Sequence, residues 1–174
     1  MTAAGRPPAG ALGSDAIRFW TQPALGGTAT IVEIVRDSAG RGRARILWAW
    51  GHAAFGWRIE GTATRRLSAS DYRRLTAYVD GMLESDEHIR STGDWIVACT
   101  DGLQPLTERV REGRVETLGG QCLGDDEPHP NRRIGAVMLS LACRPMRHAE
   151  PEDPRLQKTC SQWRSSARQA GFDL

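Results

Sequence analysis

Thr28-Ala29-Thr30-Ile31-Val32-Glu33-Ile34-Val35, then Asp37-Ser38-Ala39-Gly40-Arg41-Gly42, then Arg43-Ala44-Arg45-Ile46-Leu47-Trp48-Ala49-Trp50, is the stretch on which the fold turns. The first run is dense in β-branched residues, which suit a pleated strand. The middle run collects turn formers, and the last returns as a partner strand. Residues 28–50 therefore predict a hairpin, and residues 55–60 and 63–67 add one or two further short strands. Period two puts Trp48 and Trp50 on one face of the second strand and Arg43 and Arg45 on the other.

Downstream lies the clearest helix signal. Ser68 is placed as an N-cap with Asp71 three residues on, a capping-box arrangement with a shortened acid. Leu67 and Tyr72 are spaced as a hydrophobic staple. Tyr72, Leu75, Val79, Met82 and Leu83 then recur at helical spacing, and the helix should end near Glu84 to Asp86. Residues 94–122 predict a three-stranded meander with turns at Asp101-Gly102 and Glu112-Gly113. In that register Val97 faces Leu106, Val110 faces Val115 and Glu108 faces Thr117. One face carries Trp95, Val97, Cys99, Leu106, Glu108, Val110, Val115 and Thr117 and is expected to be the core face. The other, with Thr107, Arg109, Arg111, Arg114 and Glu116, is expected to be solvated. Asn131 should cap a second helix through Ile134, Val137, Met138 and Leu141. Three prolines mark residues 144–154 as a linker. A last helix starts at Asp153-Pro154 and stops at Gly171, with Leu156, Cys160, Trp163, Ala167 and Ala170 as its apolar stripe.

The expected fold is α+β: an antiparallel sheet, made of an N-terminal hairpin and a three-stranded meander, is packed by two helices with an additional C-terminal helix. The expected divisions are a flexible lead-in over 1–27, a single domain over 28–143, the linker 144–154 and the C-terminal amphipathic helix 155–174.

The length of 174 residues suits one domain. The longest stretch without charge, Phe19 to Val32, has 14 residues, and Ile46 to Trp57 has 12, against roughly 20 for a membrane-spanning helix. Net charge is +2 but uneven. Residues 1–66 hold nine basic and four acidic groups, residues 67–143 eight and thirteen, and residues 144–174 six and four. The favoured reading is of two oppositely charged halves that attract each other across the fold. All but one of the 23 basic residues are Arg, a skew that fits a GC-rich genome better than phosphate binding.

Candidate chemistry is thin. Glu108, the one charged residue on the expected core face, would have a raised pKa and suit a general acid or base. With Asp101, His129 and Asn131 it makes a possible acid–base group, although a turn explains Asp101 and a cap explains Asn131. Cys122, His129, Cys143 and His148 are spaced too widely for the short-paired geometry of a structural zinc site, so no metal and no cofactor is expected. Arg41 to Arg45 beside Trp48 and Trp50 gives a weak nucleic-acid signal, with the two residue types on opposite faces of one strand. Trp163, with Leu156 and Arg164 on the C-terminal helix, is the expected partner-binding anchor. The leading expectation is a non-enzymatic interaction protein whose partner is another protein. A small hydrolase-like enzyme using Glu108 and His129 is the alternative, and nucleic-acid binding through Arg41–Arg45 stands third.

Four cysteines, Cys99, Cys122, Cys143 and Cys160, allow three pairings. Met1 to Asp15 lacks the apolar core of a signal peptide. The expected location is cytoplasmic if this start is native, and periplasmic or exported if a signal has been lost. Trp95-Ile-Val-Ala-Cys-Thr-Asp-Gly102, Thr107-Glu-Arg-Val-Arg-Glu-Gly-Arg-Val115, Gly119-Gly-Gln-Cys122 and His129-Pro-Asn131 resemble a family of small uncharacterised bacterial proteins, several of them exported. The resemblance spans residues 94–143 and brings no activity. It implies a Cys99–Cys122 disulfide and an oxidising compartment.

Overall fold

The computed structural model describes residues 9–23, 26–52, 56–85, 103–119 and 130–143. Six strands form one sheet: β1 (Asp15–Pro23), β2 (Gly27–Arg36), β3 (Gly42–His52), β4 (Gly56–Leu67), β5 (Leu103–Arg111) and β6 (Arg114–Gly119). Two helices, α1 (Ala69–Ser85) and α2 (Pro130–Ala142), accompany them, with a short 3-10 turn at Ala9–Leu12. The spatial order is β4-β3-β2-β1-β5-β6, and every neighbouring pair is antiparallel. The α+β class and the antiparallel sheet packed by two helices are as the sequence predicts.

β2 and β3 form the expected hairpin, with Ile31 opposite Leu47 and Glu33 opposite Arg45. Asp37 builds its turn, accepting from the backbone N–H groups of Ala39 and Arg41, both at 2.9 Å. β4 is one strand rather than two fragments, irregular where Gly61 meets Trp48 and Ile59 meets Ala49. That bulge, with charged Arg58, Glu60, Arg65 and Arg66, blunts an edge strand that would otherwise invite pairing with another chain. Ser68 caps α1 as predicted, since the Asp71 N–H donates to Ser68 Oγ at 3.1 Å. Tyr72, Leu75, Val79 and Leu83 form the buried stripe of α1.

The expected lead-in is corrected. Residues 15–23 form β1, which lies between β2 and β5 inside the sheet. Its Ile17, Arg18, Phe19 alternation is strand-like, but one short run among Gly- and Pro-rich neighbours does not reveal a central strand. The meander is corrected with it: β5 pairs with β1 on one side and β6 on the other, and Trp20 takes the place opposite Leu106 that was expected for Val97. Residues 94–100, and with them Trp95, Val97 and Cys99, lie outside the described residues.

Both helices pack on one face of the sheet, against Ile17, Phe19, Val32, Ile34, Ile46, Trp48 and Leu118. Residues 134–142 of α2 are buried on every side, as their nearly unbroken apolar run dictates. A methyl at Gly135 would run into the Phe19 ring, so α2 lays its backbone directly on β1.

The register between β5 and β6 is as expected, with Val110 opposite Val115 and Glu108 opposite Thr117, but the two faces are exchanged. Ile17 lies beside Arg109 and Phe19 beside Thr107, so Thr107 and Arg109 face the helices. Glu108 and Val110 face the other way, where Val110 packs with Ala9 and Ala16. Counting apolar residues chose the wrong face because the polar side chains on the helix side, Thr107 and Arg109, find hydrogen-bond partners there.

Candidate functional site

Beneath α1, Arg109 is 4% exposed, and four hydrogen bonds satisfy two of its nitrogens. Nε donates to Asp80 Oδ1 at 2.9 Å, while Nη1 donates to Asp15 Oδ1 at 2.6 Å and to the carbonyls of Ala16 and Val110. Asp15 also accepts from the Tyr72 hydroxyl at 2.8 Å. Tyr72 and Asp80 lie eight residues apart, about two helical turns, so α1 presents both to this corner. Burial, and then the hydrogen bond to Asp15, push the Tyr72 phenol far above its ordinary range. Burial works against the Arg109 charge, yet Asp80 and Asp15 outweigh it and raise the guanidinium pKa further. Among the described residues, Nη2 of Arg109 makes no hydrogen bond.

Arg109 is the buried floor of an open cleft of about 560 Å³ where β1, β5 and β6 end. Arg36 faces Asp15 at 3.5 Å, and Arg111 bonds Glu116 at 2.8 Å. Arg114 and Glu112 complete the rim, and among the described residues their side chains make no hydrogen bond or ion pair. Four arginines meet three carboxylates across the cleft. Glu112 holds a left-handed backbone, φ 49°, followed by Gly113 at 79°. This tight hairpin turn favours Asn-Gly or Asp-Gly, so Glu112 is a strained choice at the cleft mouth.

On the opposite face Arg18 is 2% exposed, between Glu33 at 3.2 Å and Glu108 at 3.1 Å. Its guanidinium carbon stands 5.8 Å from the Trp20 ring centroid, within cation–π range. Glu108 is therefore not a lone acid among apolar neighbours. Burial raises its pKa as the sequence suggests, with Arg18 pulling the other way. The position and partner differ from expectation, and the carboxylate serves as a counter-charge.

Asn131 is corrected too. It lies inside α2, and its side chain turns to the sheet: Thr107 Oγ1 donates to its Oδ1 at 2.6 Å, while its Nδ2 donates to the carbonyls of Leu118 at 2.9 Å and Pro105 at 3.3 Å. It bolts α2 to β5 and β6. Asp101, His129, Leu156, Trp163, Arg164, Cys99 and Cys122 lie outside the described residues. Cys143, at the end of α2, is disulfide-bonded, which removes a thiolate from the wide cysteine–histidine array. Trp48 is buried as expected for a core tryptophan, but Trp50 is 56% exposed.

Arg109, Asp15 and Asp80 escaped the sequence reading. Asp15 sat in the supposed lead-in, and Arg109 sat on a face taken as solvated. The usable signal was the alternation of Ile17 and Phe19 around Arg18. No family model matches the chain, and no curated protein sequence matches it. Among the described residues, no helix is long and apolar enough to cross a membrane.

Proposed function

We propose that this chain is a small non-enzymatic interaction protein whose partner is another protein, met at the cleft between the ends of β1, β5 and β6. The observation that carries the reading is Arg109. A buried guanidinium, locked in place by Asp15 and Asp80, leaves one nitrogen for the cleft. Preorganised arginine is a usual anchor of protein interfaces, because little side-chain freedom is lost on binding. Charges of both signs on the rim suit the mixed surface of a protein better than a uniform polyanion. Trp163, with Leu156 and Arg164, belongs to the same proposal as a second contact, and Trp163→Ser should then weaken partner binding. The disulfide at Cys143 supports an oxidising compartment and the exported reading.

Glu108 has no place in this interface, since Arg18 holds it on the opposite face. The direct test places a photo-crosslinking residue at Arg114 and, as a control, at Arg73 on the exposed side of α1. A discrete protein adduct from position 114, lost in a Glu112→Lys/Arg36→Glu background, is expected. Equal labelling from both positions would overturn the proposal.

A further inference from the structure

Next to this cleft, at the β2–β3 turn, lies a smaller hollow of about 210 Å³ lined by Arg36, Asp37, Arg41, Arg43 and Arg66. Its charge is lopsided, with four guanidinium groups against one carboxylate. Asp37 is already engaged: its oxygens hold two turn amides and the Arg41 Nε at 3.0 Å. The backbone amide of Arg41 heads the effects that lower its pKa, so it stays ionised.

A second observation concerns register. Arg43 on β3 is directly opposite Arg66 on β4, both exposed. Directly opposed side chains in an antiparallel pair have Cβ atoms roughly 4.5–5.5 Å apart, and like charges there destabilise the sheet. On the sheet face away from the helices, the other described strand arginines have a carboxylate or a hydroxyl residue opposite them: Arg18 has Glu33 and Glu108, and Arg45 has Glu33 and Thr64. Arg43 and Arg66 face each other instead, and among the described residues neither side chain makes a hydrogen bond or ion pair. Arg36 leans over the same turn, its Nη2 lying 3.8 Å from the place a Cβ would take on Gly40.

We propose that this hollow binds a phosphoryl group, held between Arg43 and Arg66 with Arg41 and Arg36 at its sides. A tetrahedral dianion offers each guanidinium a pair of oxygens and neutralises two facing cations at once. The hollow shares Arg36 with the Arg109 cleft, but Arg43 and Arg66 lie outside that cleft, so the site does not depend on the protein-binding proposal.

The test titrates the intact protein with inorganic phosphate, followed by NMR of the arginine side chains. Saturable shifts at Arg43 and Arg66 are expected. Arg66→Glu and Arg43→Glu should each weaken binding by at least about tenfold, because each removes a bidentate partner and adds repulsion. Arg73→Glu, a surface control on α1, should leave affinity unchanged. A second arm sediments the protein with phosphatidylcholine vesicles containing or lacking phosphatidic acid. Binding in either arm that Arg66→Glu abolishes supports the site, and the responding arm tells a free phosphate from a lipid headgroup. No binding in either arm, or binding that Arg66→Glu leaves intact, overturns it.

Discussion

Two adjacent rows of side chains cross the same face of the sheet with opposite electrostatic logic. One runs Arg45, Glu33, Arg18, Glu108 across β3, β2, β1 and β5, alternating in sign at every step. The other runs Arg66, Arg43, Val35, Ala16, Val110 across β4, β3, β2, β1 and β5, and places two arginines together before turning apolar. The first row is buried at its centre, where an unbalanced charge would be prohibitive, so each ion has its counter-ion built in. The second keeps its arginines at the wet end, where water and salt lower the cost of repulsion and an external anion has access. A charge surrounded by its own partners is there for the fold. A charge facing its like leaves room for something else.

The largest expected effect comes from breaking the alternating row at its centre. Arg18→Ala leaves Glu33 and Glu108 facing each other with no cation between them, and should cost about 3–5 kcal/mol of stability. Arg109→Ala should cost less, about 1–3 kcal/mol, because the stranded Asp15 and Asp80 can turn to water. Their side chains are 24% and 23% exposed, whereas Glu33 is 4% exposed. Urea unfolding of the two variants checks the order. An Arg18→Ala protein as stable as Arg109→Ala would mean that the alternating row is not the stronger element.

Legibility in the sequence follows the same division. The β2–β3 hairpin and α1 were legible because their signals are local: β-branched runs, an Asp-led turn, a serine cap and a helical stripe. The β5–β6 pairing was legible for the same reason. The position of β1, and hence the face on which Arg109 and Thr107 lie, depends on a pairing between residues 15–23 and 103–111 that no local pattern encodes. Once the face was misassigned, Glu108 looked like an isolated core acid and Arg109 like a solvated one. Asn131 carried a true polar signal at a helix start, but its partners are two strands distant in sequence, so a local cap was the natural reading.

A smaller effect, confined to a pH window, concerns Glu108. Burial raises its pKa in the folded protein more than Arg18 lowers it. In the window between the ordinary carboxylate value and the raised one, the folded state binds more protons than the unfolded state. Stability contributed through this group is therefore present at the acid side and lost as pH rises through the folded pKa. Glu108→Gln does not titrate, so wild type should lose stability relative to Glu108→Gln between pH about 4 and neutrality. Parallel urea melts across that range measure the difference. A wild type that instead gains on Glu108→Gln as pH rises would show that the ion pair with Arg18 outweighs burial.

The smallest effect is the most diagnostic, because its sign separates the two rows. Arg66→Glu would place a carboxylate directly opposite Arg43 and extend the alternating pattern into the second row. Replacing like charges with opposite ones across an antiparallel pair should stabilise the protein by about 0.2–1 kcal/mol. Both side chains are exposed, so the gain belongs at the lower end and should shrink as salt is raised. The same substitution is expected to abolish phosphate binding at the hollow. A variant that is more stable and less able to bind would show that the Arg43–Arg66 pair is held against stability for the sake of a ligand. If Arg66→Glu destabilises the fold at low salt, the two arginines are not in conflict, and the contrast between the rows fails at its second member.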